Sequence, residues 1–569
     1  MKKMTKLFLT LCLFLSLFGC KNSNQEELKS FSEYIDELIK NELSSDFLTY
    51  HYMLVDGIAY GVEKPEVTLG SLSLESTLES IETCKEELEV LYKYNKNKLN
   101  EEEKNIYRLL ELQYKENIEY EKYLDFDFCF GDNKVNDNLI TNFTEYRFNN
   151  EEDVKDFITL LNDTGRYIDE GIKRTQELAN EGHIQNELIQ DSIIKSCNKF
   201  INSNEIEKYF NLEINKLDIS NKESYKQQVV DGVNIMQEAY GRIVDLYEEI
   251  GESKYQGSLS EINGGKEYFE YLIQTYTGSN RSVKEWIKCL EDELEDSIYE
   301  WAMIIYFSDH DVYEEMDNIE LPFDNAQDAV KYLENCIMNS NEFPSIDKVD
   351  YKVSYLDASI ANDLTSAYYI IPPIDASNLN VIKVNPKNTD MVDLFSTLAH
   401  EGFPGHLYQN NYSIQNDLPI IYQFLDNLGA GEGWAEYIGH DAYRIGDIGS
   451  SEFQEFMRLM NYIDRILVEY IDLQVNYNGW NVEDIKSYLD EVGLSSEIAS
   501  NLYDVVIQYP ALYAPYSLGT YEVYRLKEIA MNELENDFNL AEFHEALLDT
   551  GLVHFEIIEK KIEEYMESK

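Results

Sequence analysis

The stretch HEGFPGH, His400 to His406, decides how the rest of this chain is read. It begins like H-E-x-x-H, in which two histidines four residues apart share one helix face and hold a metal. Here the second histidine comes six residues after the first, and Pro404 and Gly405 stand where a helix would continue. In a regular helix that separation points the two side chains roughly 120° apart. An unmodified helix therefore cannot make them a chelating pair. Proline interrupts the hydrogen-bond ladder and glycine permits unusual dihedrals, so the stretch predicts a bulge or kink that absorbs the extra residues. Glu401 then occupies the place of a general base. Taken by its spacing alone, the stretch also fits a helix C-terminus with two surface histidines.

A third ligand has to come from elsewhere, since a catalytic zinc takes about three protein ligands and keeps one position open for water. The segment Leu428-Gly-Ala-Gly-Glu-Gly-Trp-Ala-Glu-Tyr437 starts with glycines and then turns helical. Glu432 and Glu436 are four apart and share a face, and Glu432 follows His406 by 26 residues, room for a loop and a returning helix. Either acid can reach the metal. Upstream, Asp390 caps a predicted helix through Met391, Leu394, Leu398 and Ala399 that runs into His400. Before it, Leu379 to Asn385 alternates with β-branched residues and stops at Pro386, which predicts a short strand. The strand around Val381 to Val384 is expected to align an extended peptide beside the metal-binding helix.

The remainder of the chain supplies the setting. With 569 residues, 44% of them hydrophobic, there is material for a large core. Only 10 prolines and 27 glycines favour long helices. Stripes such as Ile81, Cys84, Leu88 and Leu91 predict helices over most of residues 28–340. The formal charge of −61, from 108 acidic and 47 basic residues, repels phosphate backbones and argues against nucleic acid as a partner.

The first twenty residues stand apart. Lys2, Lys3 and Lys6 precede the apolar run Leu7 to Phe18, too short for an ordinary membrane span, and the run ends in Leu17-Phe-Gly-Cys20. This resembles a bacterial lipobox, with lipid attached to Cys20 and a polar tether after it. The expected divisions are a signal peptide at 1–19, a tether at 20–27, an N-terminal helical region at 28–350 and a catalytic region at 351–569, the last two separate or continuous. The expected location is the extracytoplasmic face of a bacterial membrane, held by lipid alone. Cys84, Cys129, Cys197, Cys289 and Cys336 are scattered without any C-x-x-C and predict free thiols.

Several segments between about 360 and 560 resemble the bacterial family catalogued as domain of unknown function 885, often lipoproteins and placed near the gluzincin metallopeptidases. They are Ala367-Tyr-Tyr with Pro373 and Asp375, Val384-Asn385, His400 to His406, Glu432 to Tyr437, Tyr516-Ser-Leu-Gly519, and Phe543-His544 with Leu548 and Gly551. The N-terminal half matches only in helical character. The resemblance implies a mainly α-helical, multi-helix body around a deep cleft, with a small β-sheet beside the metal-binding helix. It implies one Zn²⁺ per chain on His400, His406 and Glu432, with Glu401 as general base. Tyr516 is the expected oxyanion donor, and Glu436, Asn385 and His544 are expected around the metal ligands or the substrate. Relatives carry two consecutive histidines where this chain has His406-Leu407, so only His406 can serve. Lys527 replaces an expected arginine and loses its bidentate fork.

The expected function is that of a zinc-dependent peptidase acting on peptide substrates. The alternatives are a peptide- or protein-binding lipoprotein without catalysis, and a metal-dependent hydrolase of a non-peptide amide or ester.

Overall fold

The computed structural model describes residues 28–569 apart from 133, 254, 256, 357–365 and 389. The expected signal segment, Cys20 and the tether lie outside the described residues. The chain forms two compact units, one of Gly257–Pro372 with Ser377–Lys569, the other of residues up to 256 with Pro373–Ala376. The division falls near residue 256. Tyr351, where the expected catalytic region starts, begins a strand inside the first unit. Both units are mainly helical, and among the described residues no helix is long and apolar enough to cross a membrane.

The second unit is built on two long helices, Glu151–Asn180 (α1) and Lys222–Glu249 (α2). Asn150 and Asp153 cap the start of α1 reciprocally, with acidic residues through its first turn. Val154, Phe157, Leu161 and Ile168 then repeat at helical spacing and are buried. On α2, Gly232 lets the helices approach, because a Cβ there would lie 2.9 Å from that of Leu161.

The first unit carries the helix Val283–Phe307 (α3), followed by strands Tyr351–Tyr355 (β1), Ala367–Ile370 (β2) and Asn380–Val384 (β3). The strand order is β1-β3-β2, with β1 parallel and β2 antiparallel to β3. The predicted strand is therefore present but central. Both its sides are paired, so β3 cannot offer an edge to a peptide, and the edge beside the next helix belongs to β2. That helix is Met391–Glu401 (α4), started by the side chain of Asp390, which accepts from Val392 N. Its Leu394, Phe395 and Leu398 join Ile382 and Val384 of β3 in the core. His406–Gln415 (α5), Leu428–His440 (α6), Ser451–Leu473 (α7), Ala514–Leu534 (α8) and Leu540–Leu548 (α9) complete the surroundings of His400.

The buried side of α7 includes two acids one turn apart, Glu469 and Asp472, both fully buried. Asp472 accepts from Asn476 Nδ2 at 2.6 Å and Ala511 N at 2.7 Å, whereas neither oxygen of Glu469 accepts a hydrogen bond. Burial pushes Asp472 up to about 8, and burial together with the Asp472 charge raises Glu469 well above the carboxylate range. Unfolded, both acids titrate near ~4. Between that value and about 8 the folded chain holds protons the unfolded chain has released, so this pair makes stability fall as pH rises. Glu469→Gln is expected to melt close to the native chain at pH 5 and above it at pH 8. Thermal unfolding across that range measures the gap, and a pH-independent gap would contradict the assignment.

Candidate metal centre

The helix carrying His400 stops instead of bending. α4 ends at Glu401, and α5 begins at His406 with Gly405 as its N-cap. The four residues between are non-helical and include a cis Phe403–Pro404 peptide. Gly402 N still donates to Leu398 O at 2.9 Å, and Gly405 N to Ala399 O at 3.1 Å, so the link folds back over carbonyls that the helix end leaves open. Gly405 is needed for that fold, since a Cβ there would lie 1.8 Å from His400 O. Trp434 on α6 closes the link from the other side, donating from Nε1 to Pro404 O at 3.0 Å. The six-residue separation is absorbed, and the rings of His400 and His406 stand 4.8 Å apart at 86°.

α6 brings the third donor. Asn427 caps it by accepting from Gly429 N and Ala430 N. Gly433 then rests on Gly519 of α8, where a Cβ would lie 2.4 Å from the Gly519 carbonyl carbon, and a Cβ on Gly519 would lie 2.0 Å from Gly429 O. The two helices cross backbone to backbone, which sets Glu432 and Tyr516 into one neighbourhood. Glu432 Oε2 is 3.4 Å from His400 Nε2 and 3.5 Å from His406 Nε2. One ligand atom from each of the three residues lies within 4.8 Å of the others. Donors around a tetrahedral zinc with bonds of about 2.0–2.1 Å are roughly 3.3 Å apart, so these separations fit one ion.

A further observation supports that fit. His406 Nδ1 lies 3.3 Å from Gln409 Oε1, while the buried Nε2 has no hydrogen-bond partner. A buried nitrogen without a partner is costly in a protein of neutral contacts and useful beside a cation. Glu436 faces the opposite side of His400, with Oε1 3.8 Å from Nδ1. It also accepts from Arg465 Nε at 3.2 Å, and its Oε2 is 3.3 Å from His440 Nε2. Glu432 and Glu436 thus divide the two faces of one imidazole between them. Glu401 Oε2 accepts from Tyr369 N of β2 at 2.8 Å, leaving Oε1 3.8 Å from His400 Nε2.

Burial lowers the basicity of His400, but Glu432, Glu401 and Glu436 outweigh it and lift the ring to about 9. Burial would raise Glu432, yet the two facing imidazoles hold it well below the carboxylate range. Glu436 is likewise held down against burial, by Arg465 first and then His440 and His400. Glu401 is raised, because burial outweighs the pull of the two imidazoles and the Tyr369 N–H. Tyr516, half-buried at the start of α8, is pushed well above its ordinary value by burial and by the charges of Glu432, Glu436 and Glu401. Its hydroxyl stays protonated at neutral pH.

The other expected residues lie differently. His544 on α9 is buried; its Nδ1 donates to Glu342 O at 2.7 Å and its Nε2 accepts from the Tyr437 hydroxyl at 3.0 Å. Burial lowers it to about 3. Lys527 donates to the same Tyr437 oxygen at 2.9 Å. Asn385 is buried just after β3, its side chain accepting from Lys387 N at 3.0 Å. Arg465 and His440 were not singled out from the sequence, although an arginine on the apolar side of α7 was a visible signal. A second grouping, Asp125, Glu181 and His183, is mostly exposed on the other unit.

The model of the family described as "Bacterial protein of unknown function (DUF885)" matches residues 56–562. The chain belongs to this family. Among solved structures, a "putative lipoprotein" from Colwellia psychrerythraea shares the fold with a TM-score of 0.76 at 18% identity, covering 93% of this chain and 99% of that one. A "putative lipoprotein of unknown function" from Shewanella oneidensis does so with a TM-score of 0.62 at 15% identity, covering 94% and 99%. No curated protein matches the chain.

In this DUF885 chain the α6–α8 crossing makes two neighbouring glycines behave oppositely. Gly433→Ala drives a methyl into Gly519 and is expected to cost about 2–3 kcal/mol. Gly431 has nothing within 4 Å of its Cβ position, so Gly431→Ala is expected to gain about 0.5–1 kcal/mol of helix stability. Thermal melting of the two variants beside the native chain gives the comparison.

Proposed function

We propose that this protein is a metal-dependent peptidase that hydrolyses peptide bonds, with one zinc ion held by His400, His406 and Glu432. The observation that carries the reading is the convergence of these three donors, with the buried His406 Nε2 otherwise unpartnered and Glu401 alongside. Two imidazoles and one carboxylate are a donor set suited to catalytic zinc, which leaves a fourth position open. When bound, zinc would supply Lewis acidity toward the scissile carbonyl and a water whose pKa is lowered to about 7.

The chain's own residues do the rest. Glu401 takes a proton from the attacking water through Oε1, while the Tyr369 N–H fixes Oε2. As the C–N bond breaks, Glu401 returns that proton to the leaving amine nitrogen. The protonated Tyr516 hydroxyl donates to the oxygen on which charge develops. Glu436, steadied by Arg465, orients His400 from behind. The lipobox-like Cys20 adds the proposal of an extracytoplasmic, lipid-held protein, in keeping with the two similar structures being described as lipoproteins.

Purified protein is expected to contain about one zinc per chain by elemental analysis, lost in His406→Ala with helical circular dichroism retained. Glu401→Gln is expected to keep the metal and lose about 10²–10⁴-fold in hydrolysis of a peptide mixture. Protein that takes up no stoichiometric metal from zinc-supplemented buffer would overturn the proposal.

A further inference from the structure

Arg465 commits only part of its guanidinium to Glu436. Its Nε makes the bond, Nη1 comes no nearer than 3.7 Å to the exposed Asp464 carboxylate, and Nη2 bonds nothing among the described residues. Two arginines of this unit grip their acids with two nitrogens, whereas Arg281 holds Glu522 through Nε alone at 2.7 Å and Arg525 divides its nitrogens between Glu522 and Glu559. Arg444 meets Asp441 through Nε at 3.1 Å and Nη2 at 3.0 Å, and Arg458 meets Glu455 through Nε at 2.9 Å and Nη2 at 2.5 Å. An arginine present only to hold Glu436 would gain by the same two-pronged grip. Arg465 holds it by one nitrogen and leaves the Nη pair to other partners, with 21% of its side chain exposed.

Its place gives those donors a meaning. The Glu436 oxygen it holds is also 3.8 Å from His400 Nδ1, so the guanidinium is two contacts from a candidate metal ligand. Arg465 also belongs to the charges acting on Tyr516, together with Glu401, Glu432 and Glu436. In a chain of 108 acidic and 47 basic residues, a guanidinium with donors to spare beside such a site is suited to receive an anion.

We propose that Arg465 receives the α-carboxylate at the C-terminus of the peptide substrate, so that the enzyme removes short pieces from the C-terminal end. The inference rests on the peptidase reading and adds the substrate class. A carboxylate docked on the Nη pair by charge-assisted hydrogen bonds fixes how far from the chain end the scissile bond lies. An acidic side chain offers the same chemistry, but a terminal carboxylate is present on every unblocked peptide.

The test uses the full chain loaded with zinc and made inactive by Glu401→Gln. An acetylated pentapeptide mixture, with and without internal Asp and Glu, is supplied as free acids and as C-terminal amides. Equilibrium dialysis with mass spectrometry reads the retained fraction. Free acids are expected to be retained about tenfold or more over amides, the worth of a charged hydrogen bond. In Glu401→Gln/Arg465→Gln the ratio is expected to fall to near one, and Arg465→Lys, with charge but no fork, to lie between. Zinc content and circular dichroism accompany each variant, and Arg465→Lys carries the comparison if Arg465→Gln does not fold. Equal loss of both forms, with the ratio preserved, would make Arg465 a positioning residue for Glu436 and overturn the inference. A preference that follows internal acids would overturn the terminal assignment. Chelator-sensitive cleavage of amides by the native chain, as fast as that of acids, would overturn it while leaving the peptidase reading intact. Retention of neither form would overturn both.

Discussion

The close approach of Gly405 to the His400 carbonyl is the contact on which the grouping of His400, His406 and Glu432 depends. A side chain at 405 would meet that oxygen at 1.8 Å, and the link between α4 and α5 would have to open. Opened, it would carry His406 away from His400, because the two residues sit on different helices and share no regular geometry. Trp434 holds the closed form through the Pro404 carbonyl, and its neighbour Glu432 faces both imidazoles from the same helix. One helix thus supplies both the clamp on the link and the third donor. The α6–α8 glycine contact then fixes where that helix lies.

Burying so many ionisable groups is costly unless each charge meets another. Around His400 they alternate: Glu432 on one face, Glu436 on the other, and Arg465 and His440 behind Glu436. Glu432 and Glu436 are accordingly held low, whereas Glu401, whose main partner is a backbone N–H, is raised. The Glu469–Asp472 pair on α7 shows the other outcome: among the described residues no cation offsets its burial, and both acids are raised.

Much of this was legible in the residues. The capping side chains of Asp390 and Asn427, the i, i+4 pair Glu432 and Glu436, and the short strand before Pro386 are local signals. The proline and glycine of HEGFPGH announced a departure from helix, though the departure proved to be a full break and not a kink. The place of β3 within its sheet was not legible, because β1 pairs with it across a long intervening segment. His544 and Lys527 share a polar chain through Tyr437 that no spacing reveals. Arg465 is visible on the apolar side of α7, but its partner Glu436 was hidden for the same reason, being on another helix.

The sequence by itself determined the donor types, their helical faces and the break between His400 and His406. Those properties are set within a few residues by side-chain chemistry and backbone sterics. Only the tertiary structure decided that Glu432 faces the two Nε2 atoms while Glu436 takes the far nitrogen. It also decided that Tyr516 feels the charge of both acids and that Arg465 holds Glu436. Those choices follow from how α6 packs on α4, α7 and α8, and contacts between residues far apart in the chain are the product of the whole core.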